Sequence, residues 1–285
     1  MPITTINGTK LHYHMKGRGT PIVFITPPLL TKAVFNYQVA QLSDVFKVVT
    51  FDIRGQGESA PSEAPITYPL ISEDVKQLMD MLELPKVFIC GYSTGATIAL
   101  ETMLTYPDRF HGGILLSGMS ELSDAYNRGR LSLAVTACRM RAKQLIAYAI
   151  CRGNADSKTT FNNLYREAMR GDIDNWEQYY HYSMTYSCTD RLRHIHHPML
   201  LMYGRTDFSF HRYAKLLQKE LLLTKTVNVN GVAHQLPTKA GAAVSSVIRA
   251  WTQDIVPLPS PKRMPETYMI DGMEKQMNGA DRTLH

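Results

Sequence analysis

Residues 87–100 read VFICGYSTGATIAL, and this stretch organises the rest of the chain. Val87 to Cys90 form an unbroken apolar run of the kind that fills a buried strand, and Ala96 onward has the composition of a helix. Between them lies Gly91-Tyr92-Ser93-Thr94-Gly95, a G-x-S-x-G pentapeptide. Gly and Ser are common, so five residues alone say little. A strand directly before and a helix directly after give the motif its physical sense. The glycines relieve crowding where the turn is tightest, and Ser93 is held with its hydroxyl exposed. The helix N-terminus favours negative charge developing beside it.

The same rhythm extends to both sides. Upstream, ITTINGTKLHYHM places an Asn7-Gly8 turn between two alternating segments, which predicts a hairpin. Apolar strands follow at 22–26 and 47–52, with a helix near 33–43 between them. ISEDVKQLMDMLEL carries Val75, Leu78, Met79 and Leu82 at helical spacing. Downstream come GGILLSG and, much later, PMLLMYG and KTVNVN as strands, the last two separated and followed by helical segments. Continuous apolar strands alternating with helices predict a mostly parallel sheet covered on both faces.

From about Met119 to His197 the alternation stops. This segment reads as helices over 121–150, 157–170 and 175–187, rich in Tyr, Met and Arg. After Ile255 the composition changes again, with Pro257, Pro259, Pro261 and Pro265 and little periodicity. The organisation expected is therefore a first part of an α/β core over 1–118, a helical insertion over 119–196, the second part of the core over 197–255 and a C-terminal tail over 256–285. The tail is expected to be dispensable for the core fold. Its apolar residues Met264, Tyr268, Met269 and Ile270 could dock on a neighbouring surface or in a homodimer.

A serine nucleophile needs a base, and the base an orienting acid. Asp207 follows a strand in LLMYGRTDFS, and His234 follows the next strand in VNVNGVAHQLP. Both then fall, with Ser93, at the carboxyl ends of parallel strands, where α/β sheets hold their ligands.

With GYSTG, YGRTD, GVAH and the loop FDIRGQGES in place, the chain resembles the α/β-hydrolase family from about residue 5 to 254. The resemblance implies an eight-stranded sheet with a helical cap inserted after strand six. It maps nucleophile, acid and base onto Ser93, Asp207 and His234. An acid after strand six, used by some relatives, would instead be Glu121 or Asp124. Asp52 and Arg54 would be structural, tying the loop below the site. A serine, where some relatives carry an aspartate that forms an ester through its own carboxylate, speaks against dehalogenase or epoxide hydrolase chemistry. The activity implied is hydrolysis of a small to medium, largely apolar ester, lactone, thioester or amide, with no cofactor.

One segment resists this reading. Ester hydrolysis builds an oxyanion that needs two donors. The Thr94 N–H is one. The second comes, in relatives, from a His-Gly-x segment after the third strand, which here is Thr26-Pro27-Pro28, and proline has no N–H. Either the loop shifts so that Leu29 donates, by a cis bond before a proline for instance, or a side chain such as Thr26 or Thr31 does. The remaining alternative is a ligand-binding or signalling member of the same fold. In the insertion, Tyr179, Tyr180, Tyr182, Tyr186 and Met184 cluster on one helix. Tyr179, Tyr182 and Met184 are the expected substrate-binding residues, together with Tyr92.

Composition bounds the partners. The 285 residues are 44% hydrophobic, enough for a single large core, and the net charge of +6 is scattered, with no basic run or nucleic-acid motif. The four cysteines form no CxxC pair, and no apolar run reaches the ~20 residues of a membrane span. A cytoplasmic protein acting on a small molecule is expected. His12 and His14 are read as a solvated strand face, and His194, His196 and His197 as a solvated connector rather than metal ligands.

Overall fold

The computed structural model describes residues 2–256, so the expectation for the tail lies outside the described residues. At its start, β1 (Ile3–Ile6) and β2 (Thr9–Lys16) pair antiparallel around Asn7 and Gly8, both at positive φ, as a two-residue hairpin turn requires. β2 also runs antiparallel to β4 (Phe46–Phe51). The remaining neighbours are parallel: β3 (Thr20–Ile25), β4, β5 (Val87–Tyr92), β6 (Phe110–Leu116), β7 (Met199–Gly204) and β8 (Thr224–Val229). The spatial order is β1-β2-β4-β3-β5-β6-β7-β8, an eight-stranded, mostly parallel sheet. β5 and β7 are buried along their whole length, which explains why they read as continuous apolar runs rather than alternating ones.

Helices cover both faces. The first is α1 (Asn36–Leu42), entered through a single 3-10 turn over Lys32–Phe35. α2 (Tyr68–Met81), capped by Thr67, packs with α3 (Thr94–Thr105) on one side. Four helices lie between β6 and β7: α4 (Ala125–Arg139), α5 (Lys143–Asn154), α6 (Lys158–Ala168) and α7 (Ile173–Thr185). Asp124, Ser157 and Asp172 cap α4, α6 and α7 by accepting a bond from the N–H three residues on. α8 (His211–Glu220) follows β7. The short α9 (Leu236–Lys239) and α10 (Gly241–Gln253) close the described chain, α10 against α1.

The loop after β4 is a locked polar core. Asp52 is fully buried and accepts from the Lys32 N–H and Nζ, both at 2.9 Å. His12 lies between two carboxylates, Nδ1 at 3.0 Å from Asp52 and Nε2 at 2.9 Å from Glu58. Arg54 forks onto Asp74 through Nε at 2.7 Å and Nη2 at 2.5 Å. The solvated strand face expected for His12 is therefore corrected: the loop folds over it and buries it. Alternation along β2 could not show this, because the covering segment arrives some 40 residues later.

Candidate active site

Ser93 stands between β5 and α3 with φ 55° and ψ −123°, a conformation that L-residues rarely occupy and that persists only when its surroundings hold it. The flanking glycines are what make the turn fit. A Cβ on Gly91 would lie 2.4 Å from Ala96 Cα, and one on Gly95 would lie 2.5 Å from the Ile25 carbonyl oxygen. The Ser93 N–H donates to Leu116 O at 2.9 Å, which ties the turn to the end of β6.

Asp207 and His234 come from the two neighbouring strand ends. Asp207 follows β7, and its N–H donates to Gly204 O at 3.0 Å. Ser209 Oγ donates to Asp207 Oδ1 at 3.1 Å, leaving Oδ2 for the imidazole. The two loops are laced together. Arg205 N donates to Val229 O at 2.8 Å, and Thr206 Oγ1 to Val232 O at 2.9 Å. A Cβ on Gly204 would fall 2.0 Å from Ala233 O, so only glycine admits this approach. His234 O accepts from Ser117 Oγ at 3.0 Å.

The outcome is a continuous hydrogen-bonded line. His234 Nε2 lies 3.0 Å from Ser93 Oγ, and His234 Nδ1 lies 2.9 Å from Asp207 Oδ2. The Phe210 ring packs 4.2 Å from the imidazole, centroid to centroid, and the Tyr92 ring 5.5 Å away, fixing its plane. Such an arrangement takes a proton from Oγ at Nε2 while Asp207 holds the tautomer that leaves Nε2 free. Glu121 and Asp124 are engaged elsewhere. Glu121 accepts from Thr189 Oγ1 at 2.7 Å, and Asp124 caps α4 and receives the Tyr213 hydroxyl.

The proline loop is all-trans, so it does not turn through a cis bond. It turns at Leu29, which adopts φ 70° with its side chain fully buried. The carbonyls on either side are held from α7. Thr26 O accepts from the Tyr179 hydroxyl at 3.1 Å, and Pro28 O from the Tyr180 hydroxyl at 3.5 Å. Among the described residues, neither the Leu29 nor the Thr94 N–H meets an acceptor. Thr26 Oγ1 reaches Gln56 Oε1 at 3.5 Å, and Thr31 Oγ1 accepts from Ala33 N at 3.4 Å.

Ser93, Thr94 and His234 open into a cavity of about 140 Å³. Pro27, Pro28 and Leu30 form one wall, and Met119, Leu131, Ala134, Ile150 and Phe210 supply most of the apolar remainder. Of the expected substrate-binding residues, Tyr92 lines it; Tyr179, Tyr182 and Met184 do not, and Tyr180 takes their place. The reason is helical phase. Tyr179 and Ser183 share the α7 face that meets Tyr68, whose ring also packs against Tyr182 and against Tyr186 just past the helix end. Trp176 and Tyr180, one step around the helix, join the other core, and Tyr180 reaches the cavity. Met184 instead packs between the two cores, its sulfur 3.5 Å from Ser132 Oγ. Asn127, Arg130, Asn154 and Gln235 also line the cavity, and no sequence motif singles them out. Among the described residues no cluster of three or more His, Cys, Asp or Glu side chains is arranged to hold a metal ion, and no helix is long and apolar enough to cross a membrane.

Residues 30–147 match the family profile of the alpha/beta hydrolase fold, a segment that contains Ser93 but ends before Asp207 and His234. The chain is similar to the serine hydrolase BPHL of Homo sapiens, 30% identical over 125 residues, which are 42% of this chain and 43% of that one. It is also similar to zearalenone hydrolase of Bionectria ochroleuca, 30% identical over 117 residues, 39% of this chain and 44% of that one. These matches thus span less than half the length of the curated relatives. The fold similarity is wider: the enol-lactonase structure from Burkholderia xenovorans LB400 superposes with a TM-score of 0.79 at 19% identity, over 88% of this chain and 100% of that one. With the matched segment, the strand order and the helices inserted after β6 all in agreement, the chain has the α/β-hydrolase fold.

Proposed function

We propose that the protein is a serine hydrolase that cleaves a small ester, lactone, thioester or amide through an acyl-enzyme. The observation that carries this reading is the line Ser93 Oγ, His234, Asp207, with contacts of 3.0 and 2.9 Å. In it, Ser93 Oγ attacks the substrate carbonyl carbon as His234 Nε2 takes the hydroxyl proton. The oxyanion is held by the Thr94 N–H and the Leu29 N–H. Collapse expels the leaving group, which receives the proton from His234. Water then attacks the acyl-Ser93 ester by the same route in reverse. Among the described residues neither the Thr94 nor the Leu29 N–H is spent on another acceptor, which supports their role as donors. The helices between β6 and β7 act as the cap. A cavity of about 140 Å³ suits a reacting group of roughly benzene size. The reading places the protein in the cytoplasm, where four buried unpaired thiols are at home.

A second reading, a ligand-binding member of the fold, is favoured by Pro28, which removes the donor at the position relatives use. Losing one donor outright costs on the order of 10²–10³ in rate. The test is fluorophosphonate labelling together with turnover of a short p-nitrophenyl ester series. We expect labelling on Ser93, lost in Ser93→Ala, and turnover that falls with acyl length. A fold that stays intact with neither labelling nor turnover would transfer the case to the ligand-binding reading.

A further inference from the structure

Arg130 projects from α4 as a wall of the catalytic cavity, and among the described residues it is the only Lys, Arg, Asp or Glu that lines it. Other arginines of the inserted segment meet carboxylates: Arg139 meets Glu177, Arg141 meets Asp174, and Arg166 and Arg170 both meet Glu167. Among the described residues Arg130 meets none. Its polar contact is a long one, Nη1 to Asn127 Oδ1 at 3.5 Å, and its guanidinium lies 5.8 Å from the Tyr126 ring centroid. The nearest acid in sequence, Asp124, is already taken by the Asn127 side chain and the Tyr213 hydroxyl. The Arg130 charge is felt inside the cavity: burial raises the phenols of Tyr92 and Tyr180, and Arg130 opposes both shifts. Asn127, Asn154 and Gln235 add neutral polar groups to the same lining.

We propose that Arg130 forms an anion subsite of this cavity, and that the substrate carries a carboxylate a few bonds from its scissile carbonyl. A guanidinium presents a planar fork that matches a carboxylate with two parallel hydrogen bonds. A single guanidinium amid neutral amides balances one negative charge, which suits a carboxylate better than a phosphate dianion. The cavity then binds a molecule with two ends: an acyl carbon over Ser93 among apolar side chains, and a monoanion at Arg130. This refines the largely apolar substrate expected from the sequence, and the cleavage step rests on the serine-hydrolase reading above.

The test uses succinamate, a short monoanion that the enzyme reads as an amide end and a carboxylate end, against neutral succinamide. Calorimetry on the full chain should show succinamate binding about tenfold more tightly than succinamide, a gap kept modest by the solvent exposure of Arg130 and narrowing with added salt. Arg130→Met should erase the gap and Arg130→Lys should keep part of it. Succinamate should also slow fluorophosphonate labelling of Ser93 in the wild type far more than in Arg130→Met. Equal binding of the two probes by the wild type, or a preference that survives in Arg130→Met, overturns the anion subsite. The two readings fail separately. Labelling without carboxylate preference sinks the subsite and leaves the hydrolase, whereas carboxylate preference without labelling sinks the hydrolase and leaves the subsite.

Discussion

At the scale of single residues, three acids compete for one role, and their contacts separate them. Asp207 faces His234 Nδ1; Asp124 caps a helix; Glu121 bonds Thr189. Asp207→Ala should therefore lower kcat by about 10³–10⁴ with little change in KM. Asp124→Ala should instead lower stability by about 0.5–2 kcal/mol, the usual worth of an N-cap, and Glu121→Ala should leave kcat near wild type. Steady-state kinetics and urea unfolding on the three variants distinguish these outcomes; a kcat collapse in Glu121→Ala would move the acid to the end of β6. Under the proposed serine-hydrolase mechanism, Tyr179 would act as a positioning residue. Its hydroxyl holds Thr26 O, at the start of the proline loop, so Tyr179→Phe should lower kcat several-fold, leave KM nearly unchanged and leave succinamate affinity intact.

At the scale of elements, two glycines have opposite consequences. Gly95 opens α3 where the helix crosses the end of β3, and a Cβ there would meet backbone atoms of Ile25 and Thr26 at 2.5–2.9 Å. Backbone cannot give way like a flexible side chain, so Gly95→Ala should cost about 1–3 kcal/mol and shift Thr94 N, the oxyanion donor of the proposed mechanism. Gly129, in the middle of α4, meets nothing within 4 Å of its would-be Cβ. Gly129→Ala should stabilise the protein by up to about 1 kcal/mol through helix propensity alone. Thermal melts read both signs. Both glycines are plain in the sequence, but only the packing tells the obligatory one from the costly one.

At the scale of the whole molecule, the Asp52 network ties β2, β4, the 3-10 turn at Lys32 and, through Glu167 at 4.0 Å from Lys32 Nζ, the inserted helices into one unit. Burial by itself would raise the Asp52 carboxyl, but His12 and Lys32 outweigh it and hold the group below its usual range. A carboxyl depressed in the folded state contributes stability that is present above its unfolded pKa, near 4, and is lost as pH falls through the folded value. Urea unfolding should accordingly weaken below about pH 4, and the loss should be smaller in Asp52→Asn than in the wild type. Lys32→Met leaves a carboxylate buried without its cation and should cost about 3–5 kcal/mol at neutral pH. A near-neutral result would show that His12 alone compensates Asp52.

Much of this was legible in the amino-acid order because it is local. The strands were readable because a buried parallel strand must be apolar on both faces, and the turn at Ser93 because its glycines are needed at fixed offsets. The long break before β7 marked the inserted helices, since no strand-like run interrupts it. What the sequence could not give is whatever depends on the phase of one element against another. Tyr179 and Tyr180 are chemically identical neighbours, yet α7 turns one toward Tyr68 and the other into the cavity, a difference of about 100° set by packing. His12 is indistinguishable from a solvated strand residue until a loop far along the chain closes over it. Arg130 is one of many scattered basic residues until α4 sets it in the lining of the cavity that holds Ser93. Sequence alone determined the sheet, the inserted helices and the three residues that could meet; tertiary structure decided which side chains face the cavity, because that choice is made by long-range burial.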